Sequence, residues 1–251
     1  MRYFIQLSYN GTNYCGWQIQ PNGPSIQAEL NKALSTLLRA EIYVVGAGRT
    51  DTGVHAKQMF AHFDTGDSVN ETDLAFRLNR ILPTAIAVQQ VFAVAEDAHT
   101  RFSAISRSYQ YFVTPQKDPF YYDWAWQLEQ KLDVAAMNAC AKHLLGEHDF
   151  SCFSKSNTQT KTNICKVTAA FWEEKDGLLI FHISANRFLR NMVRAIVGTL
   201  VEVGLNKMTE AAFLEVIAKQ NRSLAGTSAP AKGLYLTEVK YPESIYTNGG
   251  S

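Results

Sequence analysis

The stretch GAGRTDTGVHA (46–56) sets a single carboxylate, Asp51, among glycines, small polar residues and one arginine, Arg49. Its spacing excludes the two common phosphate cradles. Gly48 and Gly53 keep the four-residue gap of a P-loop, but Val54 and His55 stand where Lys and Ser/Thr would hold phosphate and magnesium. Gly46 and Gly48 open a dinucleotide fingerprint that has Asp51 in place of its third glycine. A carboxylate at that place repels phosphate, whereas an arginine two residues earlier can pair with it and hold it ionised. The loop therefore reads as built around Asp51, as a nucleophile or base. The alternative is a strand-to-strand turn in which Thr50 and Asp51 bond to backbone.

Two further sets of residues have chemical potential. In SRSYQYFV (106–113), Arg107, Tyr109 and Tyr111 alternate onto one face of a strand, with Ser108 and Gln110 on the other. A tyrosine ring held on a strand can stack on a nucleobase, and it can equally well fill a sheet surface. NRFLRNMVRAIVGTLVEVG (186–204) reads as a helix with Leu189, Val193, Ile196, Val197 and Leu200 on its apolar side. Arg187, Asn191 and Arg194 form a second row at helical spacing. Arginines in such a row face solvent, bind RNA phosphates or hold a carboxylate, and one of them can complete a charged pair with Asp51.

These residues need elements to position them. A strand over 2–9 ends at Asn10-Gly11, a loop covers 11–24, and a helix runs from Ser25 to Arg39 with Ile26, Leu30, Leu34 and Leu37 on one face. Strands over 41–48 and 57–64 flank the Asp51 segment, which is then an exposed loop of the kind that carries chemistry. A helix over 71–82, stopped by Pro83, and a strand over 84–94 complete the first half. After residue 100 come a strand over 108–114, a helix near 132–145, strands near 164–173 and 178–185, helices near 187–203 and 209–219, and a strand over 233–241. The order predicts an α+β fold: two similar α/β-sandwich-like domains with mixed or antiparallel sheets, helices packed on one face, and a catalytic cleft between them. Residues 1–98 form the domain with the aspartate loop, residues 99–245 the domain with the tyrosine strand and arginine helix, and 246–251 a frayed tail.

The 24 basic and 23 acidic side chains of the 251-residue chain leave a net charge of +1, so bulk charge does not announce a nucleic-acid partner and any basic cleft must be local. No basic stretch followed by a long apolar run opens the sequence, and no run approaches bilayer length, which predicts a soluble cytoplasmic protein. Cys15, Cys140, Cys152 and Cys165 are far apart with no C-x-x-C spacing, and the six histidines include no H-E-x-x-H. Reduced, buried thiols and no metal are expected.

Over nearly its whole length the chain resembles the A family of tRNA pseudouridine synthases. The resemblance rests on SYNGTNYCGWQIQPNGPSIQAEL (8–30), GAGRTDTGVHAKQMFAHFD (46–64), HTRFSAISRSYQYFV (99–113), GEHDFSCFSKSN (146–157), the 186–204 block and APAKGLYLTEVKYP (229–242), with GRTDTGVHA (48–56) the most specific. It implies conversion of uridine to pseudouridine at positions 38, 39 and 40 of the tRNA anticodon stem-loop, without cofactor or metal, by a homodimer that binds tRNA across both subunits. It implies Asp51 as the catalytic aspartate, Tyr109 packed against the target base and a candidate in proton transfer, and Arg194 as the partner of Asp51. Arg49 would engage the RNA and Leu234 line the uracil pocket, with Arg187 and Arg190 as further substrate-binding candidates. Asn10, Thr52 and Ala195 depart from the residues usual at their positions in the family. A non-catalytic RNA-binding module and a hydrolase using Asp51 are the rival readings. The hydrolase lacks a second carboxylate paired with Asp51 by sequence pattern.

Overall fold

The computed structural model describes residues 1–155 and 162–246; the tail expected over 246–251 lies outside them except for Tyr246, as do Ser156 and Asn157 of the 146–157 block. Among the described residues the fold is mixed α/β, with mostly antiparallel strands and five α-helices. The chain divides into two compact units, residues 1–105 joined by the segment from Leu236 onward, and residues 106–235.

In the first unit β1 (Arg2–Tyr9) is followed by α1 (Ile26–Leu38), β2 (Val45–Gly46), β3 (His55–Asp64), α2 (Glu71–Ile81) and β4 (Ile86–Val94). β1 is central, antiparallel to both β3 and β4, and β2 adds to β3. Ile5 and Leu7 of β1 are buried, as are Met59 and Phe63 of β3 and Leu30 and Leu34 of α1, while Phe4, on the opposite face of β1, meets Phe92 and Tyr241. Local chemistry sets the helix ends. Ser25 accepts a hydrogen bond from Ala28 N at 3.2 Å, and Arg39 closes α1 in the left-handed region at φ 55°. Asn70 caps α2 in the same way as Ser25 caps α1.

The second unit contains β5 (Ser106–Thr114), β6 (Trp126–Gln127), α3 (Val134–Lys142), β7 (Gly146–Asp149), β8 (Ile164–Lys175), β9 (Leu178–Ala185), α4 (Met192–Gly204) and α5 (Glu210–Lys219). Its strands run in the order β5-β9-β8-β7, and Tyr111, Phe181, Ile183, Ile196, Leu200 and Phe213 are its buried centre. A last strand, β10 (Leu234–Lys240), leads the chain back to the first unit, where Val239 N donates to Gln58 Oε1 of β3 at 2.8 Å. Ile105 N donates to Lys240 O and Tyr241 Oη to Thr100 O, so residues 99–105 and 236–245, grouped by sequence with the second half, cluster with the first unit.

Two expected elements differ, and two short strands are additional. The strand over 41–48 shrinks to Val45–Gly46, because α1 side chains take the hydrogen bonds a neighbouring strand would have taken. Ile42 N donates to Ser35 Oγ, Val44 N to Asn31 Oδ1, and Gln27 Nε2 to Val44 O, all at 2.8–2.9 Å. The helix over 186–204 begins only at Met192, after Asn191 at φ 66°. The short strands β6 and β7 had no counterpart in the sequence reading. No helix among the described residues is long and apolar enough to cross a membrane. Cys140, Cys152 and Cys165 are buried as free thiols, whereas Cys15 is half-buried. Burial pushes the Cys152 thiol up to about 12.

Candidate active site

The Asp51 loop is gripped, chain to chain, by the segment that follows β1. Tyr9 Oη and Thr50 Oγ1 lie 2.9 Å apart and both residues are buried. Trp17 N donates to Thr50 O at 3.2 Å, Gly53 N to Tyr14 O at 3.3 Å, and Gly11 N to His55 Nδ1 at 3.1 Å. Such close approach of two backbones leaves no room for side chains. A Cβ on Gly11 would stand 2.0 Å from Val54 O, and one on Gly16, itself at φ +87°, 2.2 Å from Thr50 O. The indole of Trp17 occupies the space a Cβ on Gly46 would take. Within the loop, Val54 N donates to Asp51 O at 3.1 Å across a tight turn with Gly53 at φ +77° in its third position.

The turn resolves the part of the loop that is buried from the part that is presented. Ala47, Thr50 and Val54 are buried, Asp51 is half-buried, and Arg49 and Thr52 are exposed, so the loop expected to be exposed is fully so only at Arg49 and Thr52. Its glycines serve packing and turn geometry, Gly46 against Trp17 and Gly53 in the turn. Asn10, which departs from the family pattern, accepts hydrogen bonds from Thr12 N and Thr12 Oγ1 at 3.0 and 2.7 Å. An amide oxygen performs that acceptor role as a carboxylate would.

In the second unit, Tyr109 of β5 is half-buried with its ring edge-on to Phe188 at 5.0 Å. Two residues on, Tyr111 is fully buried and donates from its phenol to Pro230 O at 2.7 Å. Burial pushes the Tyr111 phenol far above its ordinary range, with the positive charge of Arg194 opposing. Of the two strand tyrosines, Tyr111 is therefore the core residue and Tyr109 the one at the surface.

Arg194 is half-buried in the first turn of α4, with Nε donating to Ala229 O at 2.7 Å while Ala229 N donates to Arg194 O at 2.9 Å. The 226–230 segment lies directly on α4, since a Cβ on Gly198 would stand 1.8 Å from Thr227 O. Asn191 Nδ2 donates to Ser228 Oγ at 2.7 Å, and Arg222 to the same oxygen at 3.0 Å. Those bonds draw Asn191 into the left-handed region and stop the helix there. The expected row Arg187–Asn191–Arg194 on one helix face is thus not formed; only Arg194 is on α4.

Arg187 is half-buried close enough to Cys165 to oppose the burial that pushes that thiol up to about 11, and Arg190 is exposed. Arg107 Nη1 donates to Asn186 O at 2.9 Å. Leu234 is buried at the start of β10, directly after the Ala231–Gly233 turn. Asp51 and Arg49 thus come from the first unit and Tyr109, Arg187, Arg190, Arg194 and Leu234 from the second. Gly11, Gly16, Trp17, Gly198 and the 226–230 segment were not singled out by sequence. For Gly11, Gly16 and Trp17 a signal was present in the two glycines of 11–16 beside an aromatic, within the loop over 11–24.

The sequence and this arrangement define a class. Residues 140–242 match the family model described as tRNA pseudouridine synthase. A tRNA pseudouridine synthase A of Bacteroides thetaiotaomicron is 52% identical over 249 residues, covering 98% of this chain and 93% of that protein. One from Bacteroides fragilis is 51% identical over 247 residues, with 98% of each covered, and one from Azobacteroides pseudotrichonymphae is 46% identical over 247 residues, with 98% and 99% covered. The chain belongs to the tRNA pseudouridine synthase A family.

Proposed function

We propose that this protein isomerises uridine to pseudouridine in the anticodon stem-loop of tRNA, at positions 38, 39 and 40, with Asp51 as the reactive carboxylate. Family membership over 98% of the chain is the observation that carries the reading. The grip on the Asp51 turn supports it, because a reactive group must be held in place before the substrate arrives.

The reaction breaks the bond from ribose C1′ to N1 of the base and joins C1′ to C5. The proton at C5 leaves to solvent and N1 gains one, so the balance closes without a cofactor. A carboxylate serves each route to that exchange: attack at C1′, addition at C6, or removal of the 2′ proton. Arg194 offsets the desolvation of Asp51 by pairing with it, and Tyr109 packs on the base and is a candidate in proton transfer. The target nucleotide must leave the stack, at a cost of a few kcal/mol, and Arg49 fits the vacated space. Leu234 lines the uracil pocket, and Arg187 and Arg190 contact phosphates. In this reading the two units act as two domains, and residues of both take part in the reaction. The protein works as a cytoplasmic homodimer with each tRNA held across both subunits, which sedimentation of the protein with and without tRNA tests.

The decisive assay uses tRNA transcripts carrying tritium at C5 of uridine. Wild type is expected to release tritium to water and Asp51→Asn to bind tRNA without release. Release by Asp51→Asn would remove Asp51 from the reaction, and binding without release by wild type would make the protein a binding module.

A further inference from the structure

The turn between β4 and β5 spends its backbone inward and two side chains outward. His99 N donates to Ser103 Oγ at 2.9 Å and Ser103 N to His99 O at 2.8 Å. Arg101 N and Phe102 N both donate to His99 Nδ1, at 3.1 and 3.4 Å. That ring must be neutral to accept. Burial and the charges of Arg2 and Arg101 hold its pKa below the ordinary histidine value, which keeps it so.

Thr100 is fully buried at the base of the turn. Its Oγ1 donates to Val45 O at 2.8 Å and lies 2.8 Å from His62 Nδ1, and its carbonyl accepts from Tyr241 Oη at 2.7 Å. Val45 is the residue of β2 from which the chain runs into Gly46 and the Asp51 loop. The turn is thereby tied to the strand that feeds the loop.

On this fixed base Phe102 is 76% exposed, with the guanidinium of Arg101 5.6 Å from its ring centroid and Arg101 itself exposed. One face of the Phe102 ring rests on His99 at 4.4 Å between centroids, and His99 in turn meets His62 edge-on at 4.6 Å. The contact with His99 uses only one side of the Phe102 ring, and most of its apolar surface is left in water. A flat apolar face beside a guanidinium on a turn that does not have to be ordered on binding matches a nucleobase and its phosphate. Other exposed rings have different neighbours: Phe120 sits between Asp118 and Asp123, Tyr43 bonds to Glu41, and Tyr122 has the ammonium of Lys232 4.7 Å from its ring centroid, a lysine that donates to the Tyr122 carbonyl.

We infer that Arg101 and Phe102 form a second RNA contact, in which Phe102 stacks on an unpaired base of the substrate tRNA and Arg101 meets a backbone phosphate. The inference rests on the proposed action on tRNA and adds to it a contact built by the 99–103 turn rather than by the Asp51 loop.

Filter binding of tRNA over a range of salt, run beside tritium release, tests it. Phe102→Ala is expected to weaken binding about ten-fold or more, with Phe102→Tyr close to wild type. Arg101→Ala is expected to lower the log–log salt slope by about 0.7–0.9, the share of one phosphate, with Arg101→Lys restoring it. Melting temperatures should not move, since both side chains are exposed. Wild-type affinity and salt slope in Phe102→Ala and Arg101→Ala, beside a wild type that binds and releases tritium, would overturn the contact alone. A wild type that neither binds tRNA nor releases tritium would overturn the activity, and the contact with it.

Discussion

The Asp51 loop and the start of α4 both carry a charged side chain, and both lie against an irregular segment across a glycine, but the roles are reversed. In the first region the charged residue sits on the irregular loop and the glycines, Gly11 and Gly16, sit in the segment that grips it. In the second, Arg194 and Gly198 sit on a regular helix and the irregular 226–230 segment lies on top. A disturbance at Gly16 therefore displaces Asp51 directly. One at Gly198 displaces the segment, while the helix keeps the Arg194 backbone where it is. Stiffness comes from the partner in the first case and from the helix's own hydrogen bonds in the second.

The largest expected effect follows from that reversal. Gly16→Ala meets both a positive φ and a carbonyl, and should cost about 3 kcal/mol or more and abolish tritium release. Gly198→Ala should cost a similar amount, seen in chemical denaturation, yet retain a measurable rate. Equal loss of rate in the two variants would erase the difference between the regions.

Tyr111→Phe removes the bond that holds Pro230 O and should cost about 1–2 kcal/mol. It also changes the alkaline response. Because the folded phenol titrates above the unfolded one, its contribution is full below about pH 10 and is lost as pH rises beyond that, by up to about 1.4 kcal/mol per pH unit. Melting of wild type between pH 9 and 11 should fall more steeply than that of Tyr111→Phe; parallel curves would show that the phenol does not anchor the segment.

Tyr9→Phe leaves the buried Thr50 hydroxyl without its partner and should cost about 1 kcal/mol. The turnover number should fall several-fold while KM for tRNA stays put, and an unchanged turnover number would mean that the Tyr9 bond does not position the carboxylate. The smallest effect belongs to Gly48→Ala, within about 0.5 kcal/mol of wild type in denaturation, since nothing lies within 4 Å of the added methyl.

The helices whose ends are set by their own side chains were legible in the sequence. Ser25 and Arg39 bound α1 and Asn70 opens α2 within a residue or two of expectation. α4 was misread at its start because Asn191 answers to Ser228, thirty-seven residues away, which no local pattern displays. The 41–44 stretch keeps the alternating burial of a strand, and only the identity of its partners, side chains of α1, was hidden. Of the residues proposed for catalysis, Asp51, Tyr109 and Arg194 stood out by type and by resemblance. The contacts of Tyr9, Gly11, Gly16 and Trp17 with the loop did not, because they join residues some forty apart.

β10 reaches β3 only after the whole second unit has been threaded. A ribosome must therefore deliver more than a hundred residues of the second unit before the first can close its sheet beside β3. During synthesis the second unit is free to mature first, although the Asp51 loop was translated long before it. Emergence of β10, rather than emergence of the loop, is then the event that completes the half of the molecule bearing the carboxylate.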